Sequence, residues 1–402
     1  MADMDMRLAV PDEPLAGETR ARADRGAPVD YPLIVAIAAL ALIGLVMVAS
    51  ASIAMAERYG EPLALFQRQL VYMGIAAVGA AVVFRIPLEH WQAASRMFLA
   101  FGYFLLVIVL IPGVGHEVNG ATRWLDLGII QPQVSELARL AVILYLADYL
   151  ARRSELVRQR ARGFWIPAGI LISGSLLMLA EPDFGGAAVL MATGLIVLFL
   201  AGVALSRFVA LLAPVGAGVV ALVVVSPYRL ERITGFLDPW ADPLDSGFQL
   251  TQALIAIGRG GWFGVGLGES VQKLFYLPEA HTDFLFAVLA EELGLMGVTT
   301  VLALYGFVVY RGMRIGAASH RAGRPFGGYL AWGVAAWLGL QTFVNIGVNL
   351  GVLPTKGLTL PLMSYGGSSL VTTLAALALL LRVDAELRKD MGAPERGGEH
   401  DG

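Results

Sequence analysis

The chain contains no cysteine. That excludes disulfides, thiol nucleophiles and cysteine-ligated metals. Charge is scarce as well: 15% of the 402 residues are Asp, Glu, Lys or Arg, and the net charge is −3. So small a balance gives no electrostatic case for nucleic acid or acidic partners. What fills the space is apolar, since 57% of the residues are hydrophobic. Apolar runs of about 20 residues recur along the chain, the length a helix needs to cross hydrocarbon. The runs are continuous rather than alternating, which excludes a transmembrane β-barrel. The expected fold class is an all-α polytopic membrane protein. Residues 1–30 are polar and the first apolar run is long enough to span, so no cleavable signal is expected.

Ten spans are predicted, over residues 31–53, 67–86, 97–112, 133–151, 164–181, 186–202, 206–226, 283–310, 328–350 and 364–383. The fourth is amphipathic, and the fifth and sixth form a hairpin around 181–186. Residues 1–30 read as a disordered tail, 31–385 as one transmembrane domain, and 386–402 as a second tail. Of the 29 lysines and arginines, 20 fall in one alternating set of tails and connections and 8 in the other, while Arg139 lies inside the fourth span. The positive-inside rule places both termini in the cytoplasm. The extracytoplasmic face then receives 113–135, 181–186, 226–282 and 351–363. The large loop, 226–282, joins the seventh and eighth spans. Within it, Leu250, Leu254 and Ile257 share one helical face and Gln249 and Gln252 another, which predicts a short interfacial helix. Neither a repeat of 20–50 residues nor the paired broken helices of transporters is visible.

Ionisable groups near lipid are costly and draw attention by default. Glu136 and Arg139, three apart, can pair on one helical face; a structural and a functional pair are both open. Gln341, Asn345 and Asn349 form a polar stripe at i, i+4 and i+8, suited to interhelical hydrogen bonds or to a ligand. Asp283 opens the eighth span. It can cap that helix, together with Thr282, or act as a general base where water meets lipid. The helix N-terminus favours its ionised form, whereas partial burial raises its pKa. A base wants a pKa not far below the working pH. Glu279 and His281 flank it as supporting candidates. Glu291 and Glu292 lie roughly 12 Å further along the helix and read as bundle-facing or paired groups. Arg123 and Lys356 are isolated cations in outer connections, fit for snorkelling or for an anionic lipid headgroup. In the 364–369 segment SYGGSS, two glycines allow close helix approach, with Ser368 as the candidate ligand contact. Glu181 and Asp183 put two carboxylates in one turn, as a cap or a divalent-ion site.

Four segments, NGATRW (119–124), EPDFGG (181–186), QALIAIGRGGWFGVGLGESVQKLFYLPEAHTDFLFA (252–287) and NIGVNLGVLPTKGLTLPLMSYGGSS (345–369), together resemble the SEDS family of shape, elongation, division and sporulation proteins. The similarity covers most of 31–385. PTKGLTLP and the preceding VNLG resemble its division branch; the elongation branch usually differs at Lys356. The resemblance implies a peptidoglycan glycosyltransferase that polymerises lipid II at the outer face of the bacterial inner membrane. It also implies a place at the division septum, a class B penicillin-binding protein transpeptidase as partner, and other divisome proteins. The family's essential carboxylate falls on Asp283, and its Arg and Lys on Arg123 and Lys356. A divalent cation, Mg or Mn, is compatible with that chemistry, and no other cofactor is implied. The chain departs from the pattern at 131–136, where Pro132 stands two places early, and at Gly186, where many members carry Thr. A lipid II flippase is the alternative that the polar stripe keeps open.

Overall fold

The computed structural model describes residues 28–59, 64–118, 121–125, 131–225, 236, 238–242, 247–274, 277–354 and 357–392. Lys356 therefore lies outside the described residues, as do 1–27 of the expected first tail and 393–402 of the second.

Helices dominate. In chain order they are α1 (Tyr31–Tyr59), α2 (Ala64–Arg85), α3 (Leu88–Ile108), α4 (Val134–Gln159), α5 (Ala161–Ala180), α6 (Phe184–Leu200), α7 (Leu205–Val224), α8 (Phe248–Gly260), α9 (Leu285–Arg321), α10 (Pro325–Asn349) and α11 (Gly367–Gly392). Six of them, α1, α2, α3, α5, α9 and α10, are long and apolar enough to cross a membrane, while α6 and the first part of α7 are shorter apolar helices. The chain is thus a polytopic helical protein. It is not purely α: β1 (Gly115–Val118) and β2 (Ala121–Leu125) form an antiparallel hairpin, and Leu125 N donates to Pro132 O just before α4.

The bundle sorts its helices inside out. α2 and α3 are apolar yet turn most of their surface outward, with Val71, Val78, Met97 and Phe104 exposed. α4 carries Glu136, Arg139 and Asp148 and is nevertheless buried. Lipid solvates apolar side chains at no cost, so the charged helix belongs in the middle, where other helices supply partners. α4 packs against α3, α5 and α10, and α10 packs in turn against α9.

Several boundaries differ from expectation. α3 begins nine residues before the predicted 97, because LEHWQAASR is polar but helical. α11 runs on to Gly392, through residues expected in the tail. Asp30 is not part of a loose tail. It is buried, accepts from Leu33 N at 3.1 Å, and takes Arg311 Nε at 2.7 Å from the far end of α9.

The element that positions the site is α9. Its 37 residues amount to about 55 Å of helix, far more than a hydrocarbon core of about 30 Å. It is broken at Gly294, where φ is 62° and ψ −163°. The segment after α8 repairs the break. Leu295 N and Met296 N donate to Gly261 O and Trp262 O at 2.9 and 3.1 Å, while Val265 N and Gly266 N donate to Glu291 O and Glu292 O at 2.9 and 3.2 Å. The expected short helix within 226–282 is α8, and it packs on this part of α9.

A side chain at Gly294 would need a backbone conformation reserved for glycine, and its Cβ would lie 2.3 Å from Gly264 N. Gly294→Ala is expected to lose more than about 1–3 kcal/mol of stability, read as a lower melting temperature in detergent. Gly306→Ala, on the same helix with open space around it, should melt like the parent.

Candidate active site

The short piece of α9 before Gly294 presents Asp283 at its start. The turn leading into it is tight. Glu279, with φ 56°, accepts at its carbonyl from Thr282 N and Phe284 N at 3.1 and 3.2 Å. Thr282 Oγ1 turns back to Glu279 Oε2 at 2.7 Å. The N-cap position is Phe284, with no side-chain cap hydrogen bond, so neither Thr282 nor Asp283 stands at the cap. Asn349 Oδ1, from α10, accepts instead from Ala287 N at 3.1 Å.

Three neighbouring segments close around this turn. Gly357, beside the undescribed Lys356, runs so close that a Cβ on it would lie 3.3 Å from Asp283 Oδ2. Ser364 Oγ donates to Thr282 O at 2.6 Å, and Tyr365 N donates to His281 O at 2.9 Å. From the opposite side, a Cβ on Gly185 would come within 2.7 Å of Leu358, which brings the 181–186 turn against the 357–360 loop. Arg123, on β2, reaches that turn and pairs with Asp183 at 3.5 Å. Asp183 also caps α6, accepting from Gly186 N at 2.9 Å.

The electrostatics follow from burial and charge. Burial pushes the half-buried Asp283 up to about 7; Glu279 adds to the rise and Arg123 opposes it. Glu181 is pushed up to about 9 by burial and by the charge of Asp183, again against Arg123. Both Glu181 carboxylate oxygens and Asp183 Oδ2 are buried without hydrogen-bond partners. Burial lowers the pKa of His281 against the pull of Glu279, so its neutral form is favoured. Among the described residues, no group of three or more His, Asp or Glu converges as a metal site.

The remaining candidates take other settings. Asn345 and Asn349 are buried and donate to backbone: both reach Asp283 O, at 2.9 and 3.0 Å, and Asn345 also reaches Leu358 O at 2.6 Å. They hold the site from behind, where substrate contact was expected. Ser368 ties the start of α4 to α11, accepting from Gln133 N at 2.9 Å and donating to Gln131 O at 3.1 Å. The Glu136–Arg139 pair forms at 3.2 Å. Arg139 also donates to Gln341 Oε1 at 2.9 Å, and Gln341 Nε2 donates to Thr359 O at 3.0 Å.

The comparisons with known proteins bear on this arrangement. The family model described as cell cycle protein, FtsW/RodA/SpoVE, matches residues 31–389. The chain belongs to this family. Among its members, the probable peptidoglycan glycosyltransferase FtsW of Thioalkalivibrio sulfidiphilus (strain HL-EbGR7) is 57% identical over 358 residues, covering 89% of this chain and 90% of that protein. The protein of the same name from Legionella pneumophila subsp. pneumophila (strain Philadelphia 1 / ATCC 33152 / DSM 7513) is 51% identical over 372 residues, covering 90% and 94%. Among solved structures, the rod shape determining protein RodA of Thermus thermophilus aligns with a TM-score of 0.67 at 32% identity, over 91% of this chain and 98% of that one. A chain from a peptidoglycan synthase complex, described as coordinating polymerization and crosslinking, aligns with a TM-score of 0.72 at 33% identity, over 91% and 99%. The SEDS resemblance drawn from the motifs is thus the family of the chain.

One buried network on the short piece of α9 carried no clear mark in the sequence. Lys273 is buried and donates to Glu292 Oε1 at 2.8 Å, to Ser50 Oγ at 2.9 Å and to Gly268 O at 2.6 Å. Ser50 donates to the same Glu292 oxygen at 2.6 Å. Glu291 accepts from Ser270 Oγ at 2.5 Å and Val271 N at 3.2 Å. The two glutamates are paired groups, as expected, and they fasten the 268–274 loop and α1 to the short piece of α9. Removing one partner of a buried pair strands the other charge, at a cost of about 3–5 kcal/mol. Lys273→Met is therefore expected to melt well below the parent, and Lys273→Met/Glu292→Leu to recover most of the loss in the same assay.

Proposed function

We infer that the chain is a peptidoglycan glycosyltransferase that polymerises lipid II with Asp283 as general base. The observation that carries this reading is a carboxyl with a pKa of about 7, excused from helix capping and set beside the Lys356 loop and Arg123. A base in that state is ionised at working pH yet still basic enough to accept a proton.

In the proposed reaction, Asp283 takes the proton from the C4 hydroxyl of the acceptor GlcNAc. The hydroxyl oxygen attacks C1 of the lipid-linked MurNAc at the end of the growing strand, and the bond from C1 to the pyrophosphate oxygen breaks. The β-1,4 link forms with inversion, and undecaprenyl pyrophosphate departs with both bonding electrons. One base on the face opposite the leaving group is enough for such a step, by analogy with inverting glycosidases. Arg123 and Lys356 balance charge on the departing pyrophosphate. Mg²⁺ is commonly held by one or two carboxylates together with substrate phosphates, and Glu181 and Asp183 are the carboxylates here with free oxygens. Such an ion, when bound, supplies positive charge to the leaving group. The polar stripe that favoured a flippase loses part of that support, because its amide nitrogens already donate to backbone.

The setting belongs to the same reading: ten spans, both termini cytoplasmic, the 226–282 loop outside, and a role at the division septum of the inner membrane. What supports it is side-to-side consistency. Residues assigned outside meet one another, as Arg123 and Asp183 do; residues assigned inside do likewise, as Asp30 and Arg311 do. A class B penicillin-binding protein is the proposed partner, in line with the crosslinking complex among the structural relatives.

Two measurements test these statements. With the protein co-purified with its transpeptidase, Asp283→Asn should lower lipid II polymerisation by about 10²–10⁴. The parent rate should fall as pH drops through about 7, where Asp283 protonates; normal polymer from Asp283→Asn would remove Asp283 as base. Because the chain has no cysteine, single cysteines report topology cleanly. One placed at Gly268 should react with an impermeant maleimide on intact spheroplasts, and one at Gly323 only after permeabilisation.

A further inference from the structure

A helix that starts at the rim of a membrane must satisfy its first N–H groups. Asp is among the preferred side chains for that duty, and Asp283 stands next to the N-cap. It is spared by a residue 66 positions further on. Asn349 accepts from Ala287 N at 3.1 Å with its oxygen and donates to Asp283 O at 3.0 Å with its nitrogen. Asn345, one turn earlier on α10, donates to the same carbonyl at 2.9 Å and to Leu358 O at 2.6 Å. Gln341, a further turn back, donates to Thr359 O at 3.0 Å. One face of α10 therefore grips the backbone of Asp283 and, beside it, the backbone that follows Lys356. All three amides are buried.

Resting on the glycosyltransferase reading above, we propose that Asn349 and Asn345 are positioning residues for the transfer: they take over the helix cap and pin the Asp283 backbone, so that its carboxyl stays out of the cap and faces the acceptor hydroxyl. Ala287 N keeps a second acceptor in Phe284 O at 3.0 Å, so what the asparagines add is the side-chain cap and two donors on Asp283 O. Without them the Asp283 backbone is unpinned and its carboxyl can turn to the exposed N–H groups of α9. A capping carboxylate accepts hydrogen bonds in its ionised form, which lowers its pKa and blunts it as a base. Among the described residues, the other charges facing Asp283 are Glu279 on its own turn and Arg123 from β2, with His281 adjacent. None of these is altered by changing Asn345 or Asn349.

The test uses the complex co-purified with its transpeptidase, with lipid II as substrate. Rates are measured against pH and against lipid II concentration for the parent, Asn349→Leu, Asn345→Leu/Asn349→Leu and Asp283→Asn, each checked by thermal melting. Asn349→Ala replaces Asn349→Leu where the bulkier side chain prevents folding. Expected for the asparagine variants is a fall in kcat of roughly ten- to hundredfold, with KM held. The acid limb should move down from about 7 toward the ordinary Asp range near about 4. A loss of folded protein alone would lower the rate without moving that limb, and this result overturns the proposal. A rise in KM with kcat unchanged also overturns it, since the amides would then be binding substrate. Polymer from Asp283→Asn would sink the underlying reading itself, whereas an inactive Asp283→Asn beside asparagine variants with the parent's limb would sink only the positioning role.

Discussion

An unwound turn inside a membrane protein frees backbone groups that water cannot reach, and each must find a partner from the protein itself. Much of this structure depends on how that demand is met at Gly294. The 261–266 segment supplies donors and acceptors to the opened turn, so the chain can end a short, separately held helix and begin its long membrane crossing. Only glycine tolerates the backbone there, and Gly264, with φ 81°, meets it from the other side. Once the break is secured, the short helix can be aimed independently of the rest of α9. The Lys273–Glu292–Ser50 network fixes its inner end, and the asparagines of α10 fix its outer end.

The electrostatic character of the site is a product of this construction. A carboxyl at an ordinary helix start would be hydrogen-bonded and acidic. Asp283 is instead desolvated beside Glu279 and left without the cap. The cation that would otherwise drag its pKa down, Arg123, is drawn toward Asp183. Glu181 adds no full charge near neutral pH, because its pKa stands near 9. The turn at 181–183 thus holds Arg123 in reach of Asp283 without cancelling it.

Much of this was legible in the residues, and the exceptions have physical causes. That the chain is a polytopic helical protein could be read because lipid demands unbroken apolar runs. The Glu136–Arg139 pair and the stripe at 341, 345 and 349 could be read because helical spacing alone puts those residues on one face. The break at Gly294 could not, since a glycine amid apolar residues looks like ordinary helix packing. The Lys273–Glu292 pair joins residues 19 apart across a loop, and its third member, Ser50, lies 223 positions from Lys273; only the fold brings them together. The start of α3 was missed because hydropathy marks the membrane and not the helix. Asp283 presented two roles on local grounds, and the side chain that accepts from the first turn of α9, Asn349, lies on α10, beyond any local window.

Asp30, just before α1, and Ser50 within it lie 20 positions apart, about 30 Å of helix, close to the thickness of a bilayer's hydrocarbon core. Each is tied to α9, through Arg311 at one end and through Glu292 at the other. α1 is thus fastened to α9 at two levels, to the long piece at Arg311 and to the short piece at Glu292, and so bridges the break at Gly294. A displacement of α1 therefore reaches α9 on both sides of the break, and at Glu292 it arrives nine positions from Asp283, about two and a half helical turns.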